Sequence, residues 1–342
     1  MAEKRINMKD IAKEAGVSVA TVSYIINKRK DQSIAVETIE RVQEAITRLG
    51  YVPNLSARAL VANRSHLFGV VIPQTEPGKK FMFANPFYGE FLSSVEYEAR
   101  MAGYHVLISG TNVDQSYLEV AQTRSLDGII IVGMYPEAYY TDLKRLAIPV
   151  ILVDSYCEDL AFHTVSIDDR LGGRLATEHL LKKGHRRIGF ASGIIKEKGV
   201  NYERFLGYRD ALEQAEVPFD PTLVYSGTVG YEYGLQLGEE LGKDRDAPTA
   251  IFASADILAV GLIRGLKKTG KEVPEDFSVI GFDDSWIAEN CDPALTTIRQ
   301  NVSQKGAKAA HLIIEERKGS YGEKQKVVLP VTLVERSSVR EL

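Results

Sequence analysis

The chain has 342 residues, more than one hydrophobic core usually covers, and 44% of them are apolar, enough for two or three packed units. Its net charge of −4 is unevenly spread: residues 1–64 carry 11 Lys and Arg against 7 Asp and Glu, while the remainder carries 31 against 39. A basic head on an acidic body suggests that nucleic acid meets the head, and on charge alone a merely solvated basic face is an equal alternative. Cys157 and Cys291 stand alone without Cys-x-x-Cys spacing, which argues against a zinc site or a disulfide framework. The N-terminus lacks an apolar signal region and no apolar run approaches the ~18 residues needed to span a bilayer, so the expectation is a cytoplasmic chain with no membrane partner.

Met8, Ile11, Ala12 and Ala15 recur at helical spacing, which gives a first helix an apolar face opposite Lys9, Asp10, Lys13 and Glu14. Gly16 ends it by tolerating a left-handed backbone, Val17 fills the corner, and Ser18 caps a second helix. This is helix-turn-helix spacing, in which the start of the second helix enters the major groove. Val19, Ala20, Ser23 and Tyr24, with Ser18, Thr21 and Asn27, then face DNA, while Val22 and Ile25 or Ile26 face the core. An ordinary helical hairpin is the competing reading. A third helix at 36–49, with Ile39, Val42, Ile46 and Leu49 on one stripe, closes the unit. Pro53 stops helical geometry at Val52, and Asn54 can cap the run 55–62, which favours a helix but is too short to hold one alone.

From Leu67 onward, apolar strands at 67–72, 104–109, 128–132, 149–154, 186–192, 249–254 and 277–282 alternate with amphipathic stretches of helical length. Strands apolar on both faces and separated by helices specify parallel sheets covered on both sides, with enough units for two. Such sheets bind ligands at the carboxyl ends of their strands. Asp283 and Asp154 end two of these strands, and Arg204 sits one turn into a helix. A guanidinium fork and a carboxylate suit the vicinal hydroxyls of a sugar, with a structural Arg–Asp ion pair as the alternative for Arg204 and Asp283 and loop capping for Asp154. Phe87, and Trp286 as the only tryptophan, are candidates to stack on a sugar's apolar face, with the core as the competing place for each. The segment 75–84 reads as an insertion beside the cleft mouth, a lid or a surface loop.

Read as adjacent strand residues, Asp168-Asp169 and Asp283-Asp284 point to opposite faces and do not converge on one substrate. No G-x-S-x-G elbow, phosphate-cradling loop or H-E-x-x-H spacing is present. The expectation is therefore no catalysis, no metal and no cofactor.

Taken in order, DIAKEAGVSVATVS with Asn27, LGYVPN with Ala59-Leu60, ANPFYGEF at 84–91, DGIII at 127–131, VSIDD at 165–169, HLLKKGHRRIGF at 179–190, GYRDAL at 207–212, PTAIFASAD at 248–256, VPEDFSVIGFDD at 273–284 and LTTIRQ at 295–300 resemble the LacI/GalR family of bacterial transcription regulators. The resemblance implies an all-α helix-turn-helix head at 1–53, a hinge helix and linker at 54–66, and an α/β periplasmic-binding-protein-like core at 67–342. That core would have two lobes with parallel sheets, lobe 1 at about 67–166 and 300–328 and lobe 2 at about 167–299 and 329–342, with crossings near 165–168, 297–301 and 327–331.

It further implies that Arg204 and Asp283 bind a small-molecule effector between the lobes. Asn54, Ala57 and Leu60 would contact DNA from the hinge, with Leu60 as a wedge in the minor groove. The chain would act as a homodimer on a palindromic double-stranded operator. The sequence stops at Leu342 without an apolar heptad tail, which favours a dimer over a tetramer. Departures occur at Tyr24, where relatives commonly carry arginine, at Val19 and Ala20 in place of polar base readers, at Val229, where relatives often place a stacking aromatic, and at Ala255, where one member has asparagine. The expectation is a repressor of carbohydrate-utilisation genes controlled by a sugar or sugar phosphate, with a nucleobase as the alternative effector. A cytoplasmic sugar-binding or sugar-processing protein without DNA binding is the alternative function.

Overall fold

The structure, a computed structural model, describes residues 6–27, 33–51, 64–74, 81–112, 119, 121–122, 124–133, 138–156 and 161–342. It divides into two units, Met1–Ser65 and His66–Leu342.

In the first unit α1 (Met8–Ala15), α2 (Val19–Ile26) and α3 (Val36–Leu49) enclose a small core of Ile11, Ala12, Ala15, Val22, Val42 and Ala45. Asn7 starts α1: its side chain accepts from the Lys9 N–H at 2.8 Å and the Asp10 N–H at 3.4 Å, while the Asp10 side chain accepts from the Asn7 N–H at 2.9 Å, a reciprocal cap that the sequence reading missed. Gly16 at φ +65° and Gly50 at φ +63° end α1 and α3 in the left-handed region. Ser18 accepts from the Thr21 N–H at 3.1 Å and caps α2, and Val17, Ile25 and Ile26 rest against the core. On α3 the core-facing stripe runs Val42 and Ala45, both buried, with Ile46 and Leu49 partly buried against them, the i, i+3, i+4, i+7 set, and Ile39 lies outside the cluster.

The second unit runs β1 (Leu67–Gln74), α4 (Pro86–Met101), β2 (His105–Asn112), β3 (Gly128–Val132), α5 (Ala138–Leu143), β4 (Val150–Val153), β5 (His163–Ile167), α6 (Asp169–Lys182), β6 (Ile188–Gly193), α7 (Val200–Gln214), β7 (Val224–Gly227), α8 (Tyr231–Leu241), β8 (Ala250–Ala253), α9 (Asp256–Lys268), β9 (Ser278–Asp283), α10 (Trp286–Asn290), β10 (Thr296–Gln300), α11 (Val302–Lys318), β11 (Lys326–Leu329) and β12 (Val331–Val334). The strands form two six-stranded sheets in the orders β11-β5-β4-β3-β1-β2 and β12-β10-β9-β8-β6-β7. Every pairing is parallel except β10 with β12. GIIIV of β3 and VILV of β4 are buried along their whole length, which is why they lack apolar alternation.

The chain leaves the first sheet after β5, returns after β10 and crosses again at Pro330, between β11 and β12. The helix α11 packs on α4 and on β3, β4 and β5, so it belongs to the first lobe although β10 just before it belongs to the second. In the second lobe two helix pairs meet at glycines. A Cβ on Gly207 of α7 would collide with the Arg170 carbonyl of α6, and one on Gly173 of α6 with the Arg204 carbonyl of α7. The pair α8 and α9 makes the same close approach at Gly234 and Gly261. No helix among the described residues is long and apolar enough to cross a membrane. Cys291 is a half-buried thiol, and Cys157 lies outside the described residues.

Candidate ligand cleft and nucleic-acid interface

The carboxyl ends of both sheets open on a cavity of about 110 Å³. The first lobe supplies Phe87 and Tyr88 from the first turn of α4, Val132 and Gly133 after β3, and Asp154 just past β4. The second supplies Asn201 and Arg204 from the start of α7, Val229 beyond β7, Ser254 and Ala255 beyond β8, Asp283 closing β9 and Gln300 closing β10. Asn85 starts α4 with Pro86 in its first turn and accepts from the Phe87 N–H at 3.0 Å, which fixes the ring at the cavity wall. Asp154 at φ +51° and Asp283 at φ +116° hold positive-φ backbone at their strand ends. The second value lies outside the left-handed helical region and marks local strain.

Two buried cations organise the charge. Arg204 donates Nε to Asp169 at 2.7 Å and Nη1 to the Ser254 carbonyl at 2.6 Å, and its guanidinium lies 3.6 Å from the Phe282 ring centre. Tyr156 donates to the second Asp169 oxygen at 2.6 Å. Lys305, fully buried on α11, donates to both Asp154 oxygens at 2.7 and 2.8 Å and to the Gln300 carbonyl oxygen. Gln300 in turn donates its amide to Asp283. Behind this wall Asp256 accepts from Thr297 at 2.6 Å and from the Ser285 N–H at 2.7 Å.

Burial raises the Asp283 carboxyl to about 6, against the opposing pull of Arg204, the Gln300 bond and Lys305. Burial also raises Asp154, with Lys305 working against it, and pushes Asp256 well above the ordinary carboxylate value with help from Asp283. Burial opposes the Arg204 charge, but Asp169 and Asp283 outweigh it and hold the guanidinium above its usual value. The Tyr156 hydroxyl is raised by burial and by Asp169.

The structure thus brings Phe87, Asp154, Arg204 and Asp283 to one cavity. It does not bring Trp286 there: the indole opens α10 and is 69% exposed, because the helix begins beyond Ser285 and turns its first side chain to solvent. Arg204 and Asp283 do not pair directly; the arginine's ionic partner is Asp169. Of the two Asp-Asp pairs only Asp283, the last residue of β9, lies in a strand. Asp168 caps α6 by accepting from the Leu171 N–H at 2.8 Å, and Asp169 is the first helical residue and points inward. Asp284 is held by Arg299 at 2.6 Å and Arg336 at 2.7 Å.

Sequence reasoning missed Lys305. Its signal was present: Val302, Gly306, Ala309 and Ala310 form a buried stripe on α11, and Lys305 stands within it. A lysine on an apolar helical stripe needs a buried counter-charge.

In the head, Ser18, Val19 and Ala20 are exposed at the start of α2, with Thr21, Ser23 and Tyr24 half-buried along the same helix. Asn27 at its end donates to the Ser23 hydroxyl at 3.2 Å. This leaves the first turn of α2 open to a groove while Val22 anchors the helix from behind. Asn54, Ala57 and Leu60 lie outside the described residues, as do residues 75–80 of the suspected insertion.

Residues 7–54 match the description "Bacterial regulatory proteins, lacI family", and residues 177–339 match "Periplasmic binding protein-like domain". The chain is 36% identical over 343 residues to the HTH-type transcriptional regulator DegA of Bacillus subtilis (strain 168), spanning 97% of this chain and 98% of DegA. The chain belongs to the lacI family of bacterial regulatory proteins. Among solved structures, a lac repressor dimer bound to operator and the anti-inducer ONPF has a TM-score of 0.83 at 25% identity over 98% of this chain and 100% of that one. A complex of the transcriptional regulator CelR with cellobiose has a TM-score of 0.71 at 30% identity over the same shares, 98% and 100%. This lacI-family member is a DNA-binding transcription regulator with an effector-binding core.

Proposed function

We propose that the protein is a dimeric repressor of carbohydrate-utilisation genes whose affinity for a palindromic operator is set by a sugar held between the lobes. The observation that carries the ligand half is the residual bonding capacity at the cleft. Arg204 Nη2 and Asp283 Oδ2 have no hydrogen-bond partner among the described residues, and the Ser254 hydroxyl is buried without one. The free guanidinium nitrogen, a carboxylate oxygen and an orphaned hydroxyl beside the rings of Phe87 and Tyr88 match vicinal hydroxyls and the apolar face of a sugar ring. The cellobiose in the CelR complex supports the same reading.

For the DNA half, a single recognition helix reads few bases, so specificity calls for two heads on two half-sites. A regulator that works on the bacterial chromosome works in the cytoplasm.

Calorimetry with a sugar panel tests the ligand half. Arg204→Ala or Asp283→Ala is expected to cost about 2–5 kcal/mol of affinity by leaving a desolvated partner unpaired. Unchanged affinity in both variants, or binding of purine bases in place of sugars, would overturn it. Mobility shifts on operator DNA test the other half: affinity should fall with salt by a log–log slope of about 0.9 per phosphate contact, and salt-independent binding would count against the head as the DNA reader.

A further inference from the structure

We propose, resting on the carbohydrate reading above, that the cleft takes an uncharged polyhydroxy ligand and rejects its phosphate esters, because its two cations are already committed to carboxylates. Lys305 has three N–H donors, and all three end on Asp154 Oδ1, Asp154 Oδ2 and Gln300. Nothing is left to offer an anion. Arg204 gives Nε to Asp169 and Nη1 to a carbonyl, which leaves one edge of its fork, and that edge serves the same cavity as Asp283.

Against these two cations stand three buried or nearly buried carboxyl groups: Asp154 and Asp283 in the wall and Asp169 behind it. A phosphate dianion needs several donors, charged side chains or backbone N–H groups, to replace its hydration. One feature works the other way. The first turn of α7 lines the cavity without a side-chain cap, and a helix start carries about half a positive charge. That does not offset the carboxylates, and Glu203 in the same turn opposes it. Neutral hydroxyls suit what remains, since each can donate to Asp283 and accept from Arg204 or from the second amide hydrogen of Gln300. Lys305 is then a positioning residue: through Gln300 it fixes the Asp283 carboxyl on the opposite lobe, and through Asp154 it is withheld from the ligand.

The test is calorimetry on the full chain with matched probes: ribose and ribose 5-phosphate, glucose and glucose 6-phosphate, cellobiose and its 6-phosphate. A neutral sugar should bind about 100-fold or more tighter than its ester, the scale of unrelieved like-charge contact. An ester that binds as tightly as its parent overturns the inference. Silence from all six probes instead overturns the carbohydrate reading on which it rests. Asp154→Asn supplies an independent arm, because it strips Lys305 of its counter-ion beside the cavity. The ratio of ester to neutral affinity should rise about tenfold or more. An unchanged ratio in a variant with a native circular-dichroism spectrum would show that the committed lysine is not the cause.

Discussion

Each lobe buries one cation–carboxylate pair at the cleft, and the two pairs are built to opposite ends. In the first lobe Lys305 meets Asp154 and exhausts its donors inside the protein. In the second Arg204 meets Asp169, rests on Phe282, and still has part of its fork unspent. The charge is the same; the number and geometry of the donors differ, and these decide whether a buried cation ties a fold together or reaches outward. The helices carrying the two cations are both tightly packed: Arg204 sits on a helix pressed against its neighbour at Gly173 and Gly207, and Lys305 stands beside Gly306, where a Cβ would meet the Phe91 carbonyl of α4, while Gly89 farther along α4 has open space around it.

The comparison can be broken by substitution. Lys305→Ala should have the largest effect, about 3–5 kcal/mol of core stability in urea denaturation followed by circular dichroism, because it strands a buried carboxylate. The deficit should shrink as pH falls and Asp154 takes up a proton. A loss under about 1 kcal/mol, the scale of an exposed ion pair, would mean that water reaches Asp154 and the pair is not a tie. Next comes Gly207→Ala, expected to cost about 3 kcal/mol since the new methyl group meets backbone and not a side chain that can swing away. It should also weaken ligand binding by displacing Arg204.

Asp283→Asn addresses pH. Between about 4, where an unfolded aspartate releases its proton, and about 6, the folded core holds a proton that the unfolded chain has lost. This carboxyl therefore contributes stability that declines as pH rises through that window, on the order of 1 kcal/mol per pH unit. The difference in melting temperature between wild type and Asp283→Asn should change across the window and level off above it; a constant difference would return Asp283 to an ordinary value. The smallest effect is expected at Gly89→Ala, a gain of about 0.5–1 kcal/mol from reduced backbone freedom in a helix interior with space for the methyl group. Destabilisation there would mean that α4 is as tightly covered as α7.

The fold was legible where burial is two-sided and local. The runs at 128–132 and 149–154 announce themselves as strands because nothing polar interrupts them, and Gly16 and Ser18 mark the corner of the head by chemistry that acts within one turn. Short strands with mixed burial, such as β7 with its half-buried VYSG, carry no such pattern. At the cleft, Asp154, Asp283 and Arg204 could be found because strand ends and helix starts can be located from sequence. Their partners could not. Asp169 pairs with Arg204 across 35 residues and Lys305 with Asp154 across 151, and no local periodicity encodes which distant charge will answer a buried one. Trp286 shows the converse error, a scarce residue near a strand end that faces solvent.

The crossing at Pro330 has a consequence for how this protein is made. The first lobe's sheet is completed on one edge by β11, at Lys326–Leu329, and covered by α11, at Val302–Lys318, although its other strands are finished by Ile167. A nascent chain emerging at about 5–20 residues per second therefore exposes an unfinished sheet, with β5 unpaired on its outer side and Asp154 lacking Lys305, while the whole second lobe is still being synthesised. The head, whose buried core lies within residues 11–45, is free to fold first. The stretch of translation between β5 and α11 is thus when the chain is most open to aggregation, and a ribosome stalled there would carry a DNA reader already folded on a body unable to hold its ligand.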